Sequence, residues 1–173
     1  MRANAARLGL VLMLLLPMAE QVEACPDETV EPALVTRLLQ WIGVNSDYDT
    51  APYVTDPPTV LFCSHGESID YEGQAVTVQR HMKGLYDKDN NTIFLVRPWS
   101  GDDPYNRSTL LHELIHLVQY NSRDWPCWHK TEWEAYKLQE AWLNERGLES
   151  GFNWMDILIL SRCSARDVHP SLE

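Results

Sequence analysis

Apolar residues recur at helical spacing in one early stretch. Val30, Leu34, Leu38 and Ile42, with Val35 and Trp41 widening the stripe, predict a helix over about 27–44. Residues 45–58, rich in Asp, Pro and Tyr, break that pattern and read as a loop. Thr59-Val60-Leu61-Phe62-Cys63 is a short strand candidate, and residues 65–79 follow neither period. Leu85-Tyr86, then Asp87-Lys88-Asp89-Asn90-Asn91, then Thr92-Ile93-Phe94-Leu95-Val96 predict a β-hairpin: an apolar arm, turn-formers, a β-branched arm. Residues 98–106 form a loop in which Asp103-Pro104 supplies the N-cap and first turn of a helix reaching about Tyr120. Residues 121–127 interrupt it, and a further helix covers roughly 131–145. Gly147 and Gly151 bracket a turn, and 154–160 starts a last helix. Helices around one small hairpin-bearing sheet make an α+β fold.

The N-terminus changes the picture of where this fold begins. Met1 to Arg7 carries two arginines and no acids, 8–18 is almost wholly apolar, and Val22-Glu23-Ala24 ends in small residues. That order of charged, apolar and cleavable regions predicts a signal peptide over 1–24 and a single domain over 25–173. The apolar run is too short to span a bilayer, and no later stretch approaches membrane length. A lipid anchor on Cys25 is the alternative, but Glu23 sits badly in such a site. The reading is a secreted or periplasmic protein without a membrane span.

All four cysteines, Cys25, Cys63, Cys127 and Cys163, lie in the mature part. An even number in an exported chain predicts two disulfides, and their spacings do not form the close pairs of a structural zinc site. The net charge is −11, which argues against nucleic acid or an anionic membrane as partner. Asn90 and Asn106 begin glycosylation sequons, relevant only in a eukaryotic source.

The chemistry concentrates in Leu110-Leu111-His112-Glu113-Leu114-Ile115-His116-Leu117-Val118. Residues four apart on a helix lie one above the other, so His112 and His116 can aim at one metal ion. Glu113, one step round, can reach a water on that ion without being a ligand. Apolar residues fill most of the circumference, and buried polar groups without partners are costly. Coordination gives them a reason, and two imidazoles with a carboxylate suit Zn2+. The third ligand is expected from the next helix. Glu132, Ala135, Tyr136, Gln139, Trp142 and Leu143 share one stripe, which turns Glu132 inward. Glu134 has its own explanation: Thr131 as N-cap with Glu134 three residues on forms a capping box. His129, just before that helix, is the outside candidate.

The run His112-Glu113-Leu114-Ile115-His116, followed by Glu132-Trp133-Glu134-Ala135-Tyr136, resembles the gluzincin metallopeptidases. Their pattern is HExxH with a glutamate ligand on a later helix. The resemblance covers about 85–143 and implies a zincin-like fold, with the active-site helix and glutamate helix packed on a small sheet. It implies His112, His116 and Glu132 as metal ligands and Glu113 as general base, and makes the hairpin the sheet edge that lines the substrate cleft. Tyr136 stands where many such families carry an aspartate that orients a ligand histidine. The short gap before Glu132, holding Pro126 and Cys127, marks a compact member.

Zinc would acidify its water and polarise a carbonyl, while Glu113 moves the proton. Tyr120, Arg123, His129 and Tyr136 compete to donate to the developing oxyanion, with Tyr136 and His129 first. Trp125, Trp128, Trp133 and Trp142 cluster around the second helix, where packing is the expectation over a substrate platform. The expected function is hydrolysis of peptide or protein amide bonds. The alternatives are a zinc-binding, non-catalytic binding or inhibitory module, and a metal-free, disulfide-stabilised interaction protein.

Overall fold

The computed structural model describes residues 30–163, so the expected signal peptide and Cys25 lie outside them. In chain order these residues form α1 (Pro32–Asn45), α2 (Ala51–Thr55), β1 (Thr59–Cys63), β2 (Ser68–Tyr71), β3 (Gln74–Thr77), β4 (Gly84–Asp87), β5 (Thr92–Val96), α3 (Pro104–Ser122), α4 (His129–Asn144) and α5 (Trp154–Leu160). The α+β expectation holds.

β5 is the centre of a three-stranded sheet ordered β1-β5-β4, parallel to β1 and antiparallel to β4. All five of its residues are buried, because both sheet faces are covered. Ile93 and Leu95 point with Phe62 and Tyr86 into the helical core, which α1, α3 and α4 fill. Phe94 and Val96 point with Cys63 to the opposite face, which Ile69 and Val78 cover.

The β2–β3 hairpin is the element that the ambiguous stretch 65–79 hides. Its turn places Glu72 at φ 51° and Gly73 at φ 74°, the two left-handed residues a tight hairpin favours. Glycine accepts that conformation readily and glutamate does not, so the turn signal is weak in sequence. Two further elements depart from expectation. The loop 45–58 contains α2, and α1 starts at Pro32, with Val30 buried ahead of it.

α3 begins as predicted, with the Asp103 side chain accepting from the Tyr105 amide at 2.8 Å. Leu110, Leu111, Leu114, Ile115, Leu117 and Val118 are essentially inaccessible. Each such side chain contributes about 1.5–3 kcal/mol on burial, which fixes the rotation of the helix. The polar stripe is then left with one direction to face.

α4 starts at His129, two residues earlier than its pattern suggests. Thr131 therefore lies inside the first turn, where its hydroxyl bonds the Trp128 carbonyl at 2.6 Å. The expected capping box does not form. Its inward stripe does: Ala135, Gln139, Trp142 and Leu143 are buried.

Among the described residues one disulfide is seen, Cys127–Cys163, and no cysteine is free. It ties the start of α4 to the end of α5 and fits an oxidising compartment. No helix among the described residues is long and apolar enough to cross a membrane.

Candidate metal centre

A cleft of about 1160 Å³ lies between β4, α3 and α4. One helical turn apart on its α3 side, His112 and His116 bring their Nε2 atoms to 3.0 Å. Glu132, from the first turn of α4, places Oε2 3.3 Å from His112 Nε2 and Oε1 3.5 Å from His116 Nε2. Tetrahedral coordination with bonds of about 2.0–2.2 Å sets donor atoms roughly 3.3–3.5 Å apart. The two carboxylate–imidazole separations match that spacing and the imidazole pair is tighter by a few tenths of an ångström; these three residues are the group among the described residues able to hold a metal.

Electrostatics favour a cation at their centre. Burial raises the Glu132 carboxyl, but hydrogen bonds and charge from His112 and His116 outweigh it and hold the group well below the usual carboxylate range. Burial lowers His116, yet Glu132 wins and raises it. Protons and a metal compete for the same lone pairs, and both are drawn by the same carboxylate.

Two glutamines complete the cluster, and neither stood out in the sequence. Gln139 Oε1 lies 3.0 Å from His112 Nδ1, and its Nε2 donates to Ser108 Oγ at 3.1 Å. Gln119 Oε1 lies 3.0 Å from His116 Nδ1. An acceptor at Nδ1 leaves Nε2 of each ring unprotonated and available to a metal. The legible signal was spacing: Gln119 is one turn beyond His116, and Gln139 shares the inward stripe of α4.

Glu113 is 6% exposed and faces β4. There Gly84 leaves its space empty: a Cβ on that residue would meet the Glu113 carboxylate. Burial pushes the Glu113 carboxyl up, against the lowering effect of His112 and His116. A carboxylate so placed binds a proton more readily than one in water.

The other sequence candidates divide. Tyr136 lines the cleft with its ring 4.6 Å from that of His112. Burial, then Glu132 and Glu113, push its phenol up to about 12, so it keeps its proton at neutral pH. His129 stacks on Trp128 at 3.5 Å and is not among the cleft-lining residues. Tyr120 stacks on His116 and also lines the cleft, and burial pushes its phenol up to about 12. Arg123 is paired with Glu134 at 3.2 Å.

A family model described as a domain of unknown function (DUF6647) matches residues 27–171. The chain belongs to this family. No curated protein and no solved structure matches it. The matched DUF6647 span takes in His112, Glu113, His116 and Glu132, and nearly fills the domain expected at 25–173.

Around the cluster, this DUF6647 domain splits its tryptophans. Trp142 is core, Trp133 packs edge-on against Trp154, and Trp125 and Trp128 line the cleft. Trp128 is 56% exposed, more than a packing role needs.

The β4 edge completes the cleft. The Val96 amide donates to the Lys83 carbonyl at 3.0 Å, which makes that pair hydrogen-bonded across the strands. Alternation along an antiparallel ladder then turns the backbone groups of Gly84 and Tyr86 away from β5. Among the described residues β4 pairs with β5 alone in its sheet, so those groups have no strand partner on the cleft side.

Proposed function

We propose that this protein is an exported, zinc-dependent hydrolase of peptide bonds with a zincin-like, gluzincin-type arrangement. The observation that carries the reading is the convergence of His112, His116 and Glu132 donor atoms beside the buried, non-ligating Glu113. The position of β4 as an outer strand of its sheet, beside the cleft, supports an extended peptide as substrate. The N-terminal leader and the disulfide support export.

A zinc ion held by the trio would polarise a substrate carbonyl and acidify water in the site. The protein's own residues carry the remaining work. Gly84 and Tyr86 pair with the substrate backbone and set its register along the cleft. Glu113 removes a proton from the attacking water and delivers it to the departing amine, so the protein ends as it began. Tyr136 donates its phenolic hydrogen bond to the carbonyl oxygen as that oxygen gains charge. It is favoured over Arg123, which is paired with Glu134, and over His129, which stands off the cleft; Tyr120, also in the cleft, is the competing donor.

The test is a pair of variants. Glu113→Gln should retain near-stoichiometric zinc while hydrolysis falls by about 100- to 10,000-fold. His112→Ala should lose both. A parent protein that binds zinc but cleaves nothing in a peptide library would leave the non-catalytic binding module standing instead.

A further inference from the structure

Glu134 is a carboxylate without the capping role its position suggests. Its Oε2 instead collects three donors from distant parts of the chain: the Tyr48 hydroxyl, Gln119 Nε2 at 3.1 Å and Arg123 Nη2 at 3.2 Å. Tyr48 reaches it from the segment between α1 and α2, 86 residues away in sequence. Arg123 also donates to the Tyr48 oxygen at 3.2 Å, so the three groups close on one another.

Gln119 is the link to the metal centre. It is fully buried, and a side-chain amide has two ends of nearly the same shape and opposite hydrogen-bonding sense. With Oε1 toward His116, Nδ1 must carry the ring proton and Nε2 presents a lone pair to the ion. Rotated by half a turn, the amide would offer N–H to Nδ1, move the ring proton to Nε2 and block coordination. The far end of the amide decides between these states. There it meets two groups that only accept, Glu134 Oε2 and the Thr131 carbonyl, both at 3.1 Å. A rotated amide would set its oxygen against both, forfeiting two buried hydrogen bonds of about 1–3 kcal/mol each.

We propose that Glu134, held by Tyr48, is a positioning residue that locks the Gln119 amide and so keeps His116 in the tautomer that aims Nε2 at the metal. The inference rests on the metal-binding part of the proposed function but not on peptide hydrolysis. Gln139 needs no such help, because Ser108 Oγ donates to the Tyr105 carbonyl at 2.7 Å and so turns a lone pair to its amide.

The experiment reads the tautomer directly. Long-range ¹H–¹⁵N correlation spectra of the metal-free protein, recorded at a pH high enough for the His116 ring to be neutral, should show Nδ1 protonated and Nε2 bare. Glu134→Leu should populate the opposite tautomer and weaken zinc binding about tenfold, since Thr131 retains one acceptor. Gln119→Leu should weaken it roughly 10- to 100-fold. Glu134→Gln, which keeps one acceptor oxygen, should recover most of the parent behaviour; loss of packing alone would not separate Gln from Leu. If Glu134→Leu does not fold, Tyr48→Phe removes a single hydroxyl and should shift the same resonances by less. An unchanged tautomer in folded Glu134→Leu, with zinc affinity within twofold of the parent, overturns the proposal. A parent that takes up no zinc defeats the metal reading, while the tautomer comparison still decides the role of Glu134.

Discussion

Gly84 and Glu113 share one space: a Cβ added to the glycine would stand 2.6 Å from Oε1 of the glutamate. Real carbon atoms do not approach an oxygen so closely, and the obstacle is a buried carboxylate on a packed helix. Gly84→Ala should therefore push Glu113 out of line without touching the three metal donors. The expected outcome is unchanged zinc content with kcat reduced about 100-fold, part of what a positioned base contributes. Activity equal to the parent would show that Glu113 does not need its present place.

Burial raises the Glu113 carboxyl, and a base works only when deprotonated. Hydrolysis should therefore fall as pH drops through an acid limb set above the ordinary carboxylate value of about 4.3. Glu113→Gln should remove that limb from whatever activity remains. A kcat/KM that climbs as the solution is acidified contradicts the assignment.

Tyr136 remains protonated until about pH 12, so its hydroxyl is a donor throughout the working range. Tyr136→Phe should lower kcat on the order of 100-fold with little change in KM, the pattern of a bond made only as charge develops. Zinc content measured on the same sample should match the parent. A rise in KM alone would instead make Tyr136 a substrate-packing residue.

Asp87 links the two hairpins. Burial raises its carboxyl, but hydrogen bonds from the Asn90 amide at 3.0 Å, Asn90 Nδ2 at 2.8 Å and the Glu72 amide at 3.1 Å outweigh that and hold it below the usual value. A carboxyl lowered by folding stabilises above its unfolded pKa of about 3.9, and that stability is lost as pH falls through the folded value. Asp87→Ala should cost about 1–3 kcal/mol in urea denaturation at pH 7. Repeated near pH 3, the difference should narrow; a constant gap would mean that the carboxyl charge is irrelevant.

The legible parts were those in which local chemistry and tertiary environment agree. The largely apolar, β-branched run of β5, the Asp103-Pro104 start of α3 and the helical spacing that brings His112 and His116 side by side are all found in the structure. Glu132 was reachable because the stripe it shares with Gln139 and Leu143 is buried in fact. What failed was local reasoning overruled at long range. Thr131 and Glu134 have the spacing of a capping box, but Tyr48 and Gln119 claim the glutamate instead. The β2–β3 hairpin eluded the pattern because its turn asks a glutamate to adopt a positive φ. The two glutamines were silent for a simpler reason: an amide becomes significant only once its neighbours are known.

The three donors come from two helices joined through residues 123–128, and they converge only where those helices pack together. An unfolded chain scatters them, so an ion captured here recognises the native state alone. Free ion at a thousand times its dissociation constant would then add about 4 kcal/mol to the unfolding free energy. The chemistry of the surroundings, and not only the sequence, thereby sets how long the molecule stays folded.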